Sequence, residues 1–190
     1  GCSGDTITLN AAVNAMSDSS IVSVLPTEGT FLAQRIRSDS LPLPDGTGEV
    51  YTTGVTFSNF ASGQTLQNEE DILGICLNIE HSWLRDLEIS IECPNGQSAI
   101  LHDHPNRNGA TRTLLGEPVR NDDPIIPGIG YNYCWTSNAP NPTWIDVVLN
   151  DPDIGTLPPD DYSSFEPLSQ LVGCPLNGEW SITVKDLWNQ

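Results

Sequence analysis

The chain has 190 residues, and its 25 acidic residues outnumber its 7 basic residues, so the formal net charge is −18. A chain this negative repels nucleic acid and anionic membranes, because binding to either requires cationic side chains that meet phosphates. No apolar run approaches the ~20 residues of a transmembrane helix. We therefore expect no nucleic-acid partner and no membrane insertion.

Residues 1–45 form a lead segment that ends in a linker. Short alternating runs at Thr6–Val13, Ile21–Leu25 and Thr30–Ile36 predict brief strands. The proline-glycine break LPLPDG at 41–46 is typical of a linker. The opening CSGDTITLNA resembles an Ig-like strand, which favours a remnant of an Ig-like strand pair. A lipid-bearing Cys2 is the alternative, and it stays open.

From residue 46 onward the pattern is one of strands separated by turns. Fifteen prolines and sixteen glycines make long helices implausible. The predicted strands are Glu49–Phe57, Ile72–Glu80, Leu87–Cys93, Ser98–His102, Tyr131–Thr136, Trp144–Leu149 and Glu179–Lys185. One helical turn is expected within Ser164–Leu171. Repeated strands without long helices favour an all-β sandwich or jelly roll over any α/β fold.

Two tryptophan-bearing motifs stand out among these strands. The first contains, in order, His81, Trp83, Asp86, Leu87, Ile89, Pro94 and Gly96. The second contains Gly178, Trp180, Ile182, Val184 and Asp186. Together they resemble the P domain (P/homo B), the β-jelly-roll module that follows the protease domain of subtilisin-like proprotein convertases. The resemblance covers residues 50–190 and departs from the family pattern at Arg85, where glycine is usual.

The resemblance implies a fold and a setting. It implies a galactose-binding-domain-like jelly-roll sandwich of antiparallel strands over residues 46–190, after the short β lead segment. Similar modules occur in secreted surface proteins of gliding Bacteroidetes, where no protease domain need precede them. Both motif indoles are expected to fill the core or fix the turn. The residues expected to be structural are His81, Trp83, Leu87, Gly178, Trp180 and Asp186.

The family usually has one further strand after the second aspartate, whereas this sequence ends at Gln190. Either processing removes that strand, which would leave Glu179–Lys185 at an unpaired sheet edge, or another segment takes its place. Such an edge favours strand addition by N-terminal residues or by a second molecule.

The cysteines indicate an oxidising compartment, so we expect an extracellular or cell-surface location. They are Cys2, Cys76, Cys93, Cys134 and Cys174. The absence of a Cys-x-x-Cys pair argues against a zinc ribbon. The last four allow three pairings, of which Cys76–Cys93 is disfavoured. Cys76 lies opposite the apolar face of its strand, whereas Cys93 shares the apolar face of the next, so the two sulfurs point apart.

Calcium is the cofactor that the sequence favours. Hard cations take six to eight oxygen ligands where loops bring carboxylates together, and many P-like jelly rolls bind Ca²⁺. Asp86, from the first motif, and the pair Asp122 and Asp123 are the expected donors.

Catalysis and sugar binding are the alternatives from other functional classes. His102 and His104 are the histidines outside the motifs; they could serve a small secreted hydrolase, or a bridged transition metal if both face one way. Trp135 and Trp144, beside a proline-rich stretch, could form a carbohydrate-binding platform.

These observations favour a non-catalytic extracellular module that acts in stabilisation, partner recognition or adhesion within a larger secreted or surface protein. The expected partners are neighbouring domains of the same polypeptide, or a surface protein or glycan. A parent protein could carry a serine endopeptidase. The carbohydrate-binding module and the small hydrolase remain the competing interpretations.

Overall fold

The computed structural model describes residues 22–24, 31–33, 50–105, 112–119 and 127–187. Its strands are β1 (Val22–Val24), β2 (Phe31–Ala33), β3 (Tyr51–Phe57), β4 (Ile75–Ile79), β5 (Leu87–Glu92), β6 (Ser98–His102), β7 (Tyr131–Trp135), β8 (Asp161–Tyr162) and β9 (Gly178–Asp186). The helical elements are α1 (Trp144–Asn150) and three 3₁₀ turns, at Glu69–Asp71, Leu84–Asp86 and Leu168–Leu171.

The described strands form two main sheets, with orders β3-β9-β5-β6 and β4-β7-β8. The expected all-β sandwich is confirmed at this level. The strands of the first sheet pair antiparallel, as expected, and so do β4 and β7, whereas β7 and β8 run parallel, so the second sheet is mixed. No helix in the described ranges is long and apolar enough to cross a membrane.

The lead segment contributes a small antiparallel pair, β1 with β2. These strands fall inside two of the three strands predicted there. The run Thr6–Val13, the break at 41–46 and Cys2 lie outside the described residues. The division of the chain at residue 46 stays a prediction.

One apolar core lies between the two main sheets. The alternation along β5 buries Leu87, Ile89 and Ile91, and Val184 of β9 joins them. The second sheet contributes Tyr133 and Trp135 of β7 to the same cluster. Burial of this apolar surface supplies the main driving force for folding, at about 25 cal/mol per Å².

One predicted strand is a helix. The segment Trp144–Leu149 was expected to be extended, but α1 occupies it. The reason is Thr143, the residue before the helix. Its hydroxyl accepts a hydrogen bond from Asp146 N (3.2 Å) and donates one to the carboxylate of Asp146 (2.6 Å). This N-cap outweighs the strand preference of the β-branched residues that follow. Trp144 and Val148, four residues apart, then face the core together.

The last strand is central rather than exposed. β9 pairs with β3 on one side and with β5 on the other. Of the two alternatives, the unpaired edge beside this strand was therefore wrong, because Tyr51–Phe57 fills the position that strand addition was expected to fill. The jelly-roll topology itself stays a prediction.

Two disulfides join four of the cysteines. Cys76 and Cys134 lie directly opposite each other on β4 and β7, and Cys93 at the end of β5 joins Cys174 just before β9. The disfavoured pairing of Cys76 with Cys93 is not formed. Loops of 58 and 81 residues are closed. Chain-entropy arguments assign each closure roughly 4 kcal/mol.

The two sequence motifs meet at a glycine. Gly178, at the start of β9, has φ 122°, a conformation that disfavours every residue with a side chain. A Cβ atom placed there would lie 2.7 Å from the ring of Pro94. The chain therefore needs glycine at this position for two reasons, backbone conformation and close approach.

We expect Gly178→Ala to lower the free energy of unfolding by about 3 kcal/mol, because strain and the clash with Pro94 add. Gly96→Ala is the matched control. It also has positive φ (86°), but no atom lies within 4 Å of its Cβ position, so about 1 kcal/mol is expected. Urea unfolding of both variants measures the difference. Equal losses would contradict the proposed contact between the motifs.

Candidate functional site

The turn between β4 and β5 carries the first motif, and its side chains reach the end of the second motif. His81 Nε2 lies 3.3 Å from Asp186 Oδ2, across 105 residues of sequence. The backbone N–H of Trp83 donates to His81 Nδ1 (3.1 Å). The Trp83 carbonyl oxygen also lies 3.0 Å from Nδ1, so the backbone of Trp83 holds one side of the ring while Nε2 faces the Asp186 carboxylate, which can only accept. The histidine of one motif thus fixes the aspartate of the other.

A second backbone segment completes this turn. Residues 112–115 run beside it, where Leu115 and His81 exchange both backbone hydrogen bonds and Leu84 N donates to Thr113 O (3.0 Å). Arg112 stands at the beginning of this segment and is exposed. The sequence reasoning missed Arg112, since no local pattern indicates which turn a residue 29 positions beyond Trp83 will join.

Two guanidinium groups lie over the ring of Trp83. The Cζ atoms of Arg85 and Arg112 are 4.7 and 5.2 Å from the ring centroid, within the range of cation–π attraction. Arg85 Nε also lies 3.5 Å from Asp86 Oδ1. We name Trp83, Arg85 and Arg112 the Arg-Trp-Arg cluster. Trp83 is half-buried and so fixes the turn rather than filling the centre of the core.

The surroundings of Asp86 do not fit a Ca²⁺ site. Its carboxylate is buried and lies beside a guanidinium, which already supplies positive charge. Within the part of the chain that the structure describes, no group of three or more His, Cys, Asp or Glu side chains is placed to hold a metal ion. Asp122 and Asp123 lie outside the described residues, so calcium binding there stays a prediction.

The histidines proposed for catalysis are both buried. A register shift in the β5–β6 pairing places His102 opposite Ile89, on the core side. His102 Nε2 donates to Leu84 O (3.1 Å), and its ring centroid is 4.9 Å from that of Trp144. Burial lowers the pKa of His102 to about 4. His104 is equally inaccessible, so the geometry favours neither a hydrolase nor an exposed metal site at this pair.

Trp135 and Trp144, the alternative carbohydrate platform, are not exposed to a ligand. Both indoles are essentially unexposed, at 0% and 1%, and their centroids are 4.9 Å apart. Trp135 follows the buried Tyr133 by two residues on β7, so strand alternation places both on the core face. The helix α1 places the ring of Trp144 against the rings of Tyr133 and Trp135. Trp180 is instead half-buried at the core margin.

Comparisons of the chain with protein-family models, with curated proteins and with solved structures found no match.

We expect His102 to make stability depend on pH between 6.5 and 4. The unfolded imidazole, with its ordinary pKa of 6.5, binds more protons in that window than the folded one, whose pKa is about 4. Stability is therefore lost as the pH falls, by roughly 3 kcal/mol in total. Comparing wild type with His102→Gln in urea unfolding at pH 7.5 and pH 4 isolates this contribution, because the carboxylates titrate in both proteins. Parallel pH profiles would show that His102 is not the group responsible.

Proposed function

We propose that this chain is a P-domain-like β jelly roll that acts as a non-catalytic extracellular module. Its role is stabilisation of a neighbouring domain, or partner recognition and adhesion, within a larger secreted or surface protein. The observation that carries the proposal is the junction of the two motifs. They form adjacent strands, and the hydrogen bond from His81 to Asp186 joins their far ends.

The path of the chain supports the jelly-roll assignment. It passes from the first sheet to the second between β3 and β4, returns at β5, crosses again between β6 and β7, and returns at β9. Repeated crossing between two sheets is typical of jelly-roll and Greek-key sandwiches. The two disulfides fit a non-cytoplasmic, oxidising setting.

The burial of His102 and His104 favours this proposal over the small hydrolase, since neither imidazole is accessible to a substrate. The burial of Trp135 and Trp144 likewise favours protein recognition over sugar stacking.

The proposal is tested by measuring binding and turnover on the same folded sample. Beads coated with the chain are assayed for retention on surface proteins and glycans, and the chain is assayed on ester, peptide and glycoside substrates. We expect retention without turnover, and loss of retention by the Cys93→Ser/Cys174→Ser variant, whose buried disulfide is removed. Turnover that is abolished by His102→Gln/His104→Gln would contradict the proposal.

Calcium stabilisation is a separate part of the proposal. If Asp122 and Asp123 hold the ion, millimolar Ca²⁺ raises the Tm and EDTA reverses the effect, because the ligand binds only the folded state. Asp122→Asn/Asp123→Asn should abolish the shift. Asp86→Asn should reduce stability yet keep the response to calcium, since Asp86 faces Arg85. A Tm that is unchanged by calcium and by EDTA would refute the proposal.

A further inference from the structure

The Arg-Trp-Arg cluster concentrates positive charge on a strongly acidic chain. The described ranges contain three cationic side chains, at positions 85, 112 and 185. Two of them lie over one indole ring, while Lys185 donates to Glu88 (2.5 Å) on the neighbouring strand. Arg112 is exposed and makes no ion pair within the described residues, although the chain has 25 acidic residues.

Arg112 is exposed, and its Cζ lies 5.2 Å from the Trp83 ring centroid, so its guanidinium can still hydrogen-bond to a ligand. The attraction of an aromatic ring for a guanidinium acts on its positive charge and does not use up its N–H donors. The planar fork of these donors matches a carboxylate in a two-point contact. Cation–π attraction to the ring also restricts the side chain before any ligand arrives, which reduces the entropy lost on binding.

The backbone around the cluster holds both arginines in place. The segment that carries Arg112 exchanges backbone hydrogen bonds with the turn that carries Trp83 and Arg85. Because both guanidinium groups lie close to one ring centroid, they can engage neighbouring acidic groups of a single chain. In an extended peptide, residues two apart point to the same side and are roughly 7 Å from each other.

We propose that the Arg-Trp-Arg cluster binds an acidic peptide segment of a partner protein, through carboxylates that are two residues apart. The proposal rests on the recognition function above and names the chemistry of the partner. A peptide is favoured over an acidic glycan because guanidinium groups cover the Trp83 ring on which a sugar would stack. The large hydrophobic residues that are exposed in the described ranges also include no tryptophan or tyrosine.

The test uses a fluorescein-labelled peptide, acetyl-Ser-Glu-Ser-Glu-Ser, with its Glu→Gln counterpart as the ligand control. We expect saturable binding of the acidic peptide that weakens with salt. Arg112→Gln should weaken it about tenfold, as expected for one lost charge-assisted two-point contact. Arg112→Lys should restore only part of the affinity, because lysine keeps the charge but lacks the planar fork.

Lys185→Gln is the protein control, since it removes one positive charge that lies outside the cluster, on β9, and should change affinity less than twofold. Arg112 is exposed, so its variants should keep the wild-type Tm. In NMR spectra the indole N–H signal of Trp83, assigned with Trp83→Phe, should shift on titration with the peptide.

Equal losses in Arg112→Gln and Lys185→Gln, or equal binding of the Gln peptide, would overturn the proposal. So would Arg112-dependent binding of oligogalacturonate in place of the peptide, which would assign the cluster to a carboxylated glycan. If the acidic peptide does not bind while bead retention is the same in wild type and Arg112→Gln, this inference fails and the recognition function stands.

Discussion

The pairing of β5 with β9 is the contact on which the rest of the sandwich depends. It joins strands that are almost 90 residues apart, and it places the buried residues of both on one core face. At one end Gly178 approaches Pro94 closely, and at the other His81 holds Asp186. Every other strand of the first sheet attaches to this pair, with β3 on the outer side of β9 and β6 on the outer side of β5.

Long-range pairing of this kind is entropically costly to form, and the disulfide between Cys93 and Cys174 reduces that cost. It joins the end of β5 to the chain just before β9, so it limits the separation of the two strands in the unfolded state. Its buried position within the core adds packing to the covalent restraint. The second disulfide has the same role for β4 and β7, which are paired at the linked residues.

Much of the fold was predictable because strand alternation is a local signal. The runs that became β3 to β7 and β9 were recognised within a few residues of their ends, and the opposite faces of Cys76 and Cys93 followed from the same period. The helix that begins at Trp144 was missed because its β-branched residues favour a strand. The N-cap at Thr143 outweighs that preference. The site was less predictable. Arg112 reaches Trp83 because its backbone segment pairs with the turn that carries Trp83. The spacing of residues in the sequence does not indicate that pairing.

The charge distribution limits what such a site can recognise. A net charge of −18 repels an acidic partner at long range, but at physiological salt this repulsion decays over about 8 Å. Contacts at the guanidinium groups of the cluster act within that distance. A partner that is acidic over its whole surface would still be repelled during approach. A basic partner with a short acidic segment would be attracted by the body of the chain and bound by the cluster. The acidity of this chain and the two arginines of the Arg-Trp-Arg cluster therefore select for the same kind of partner.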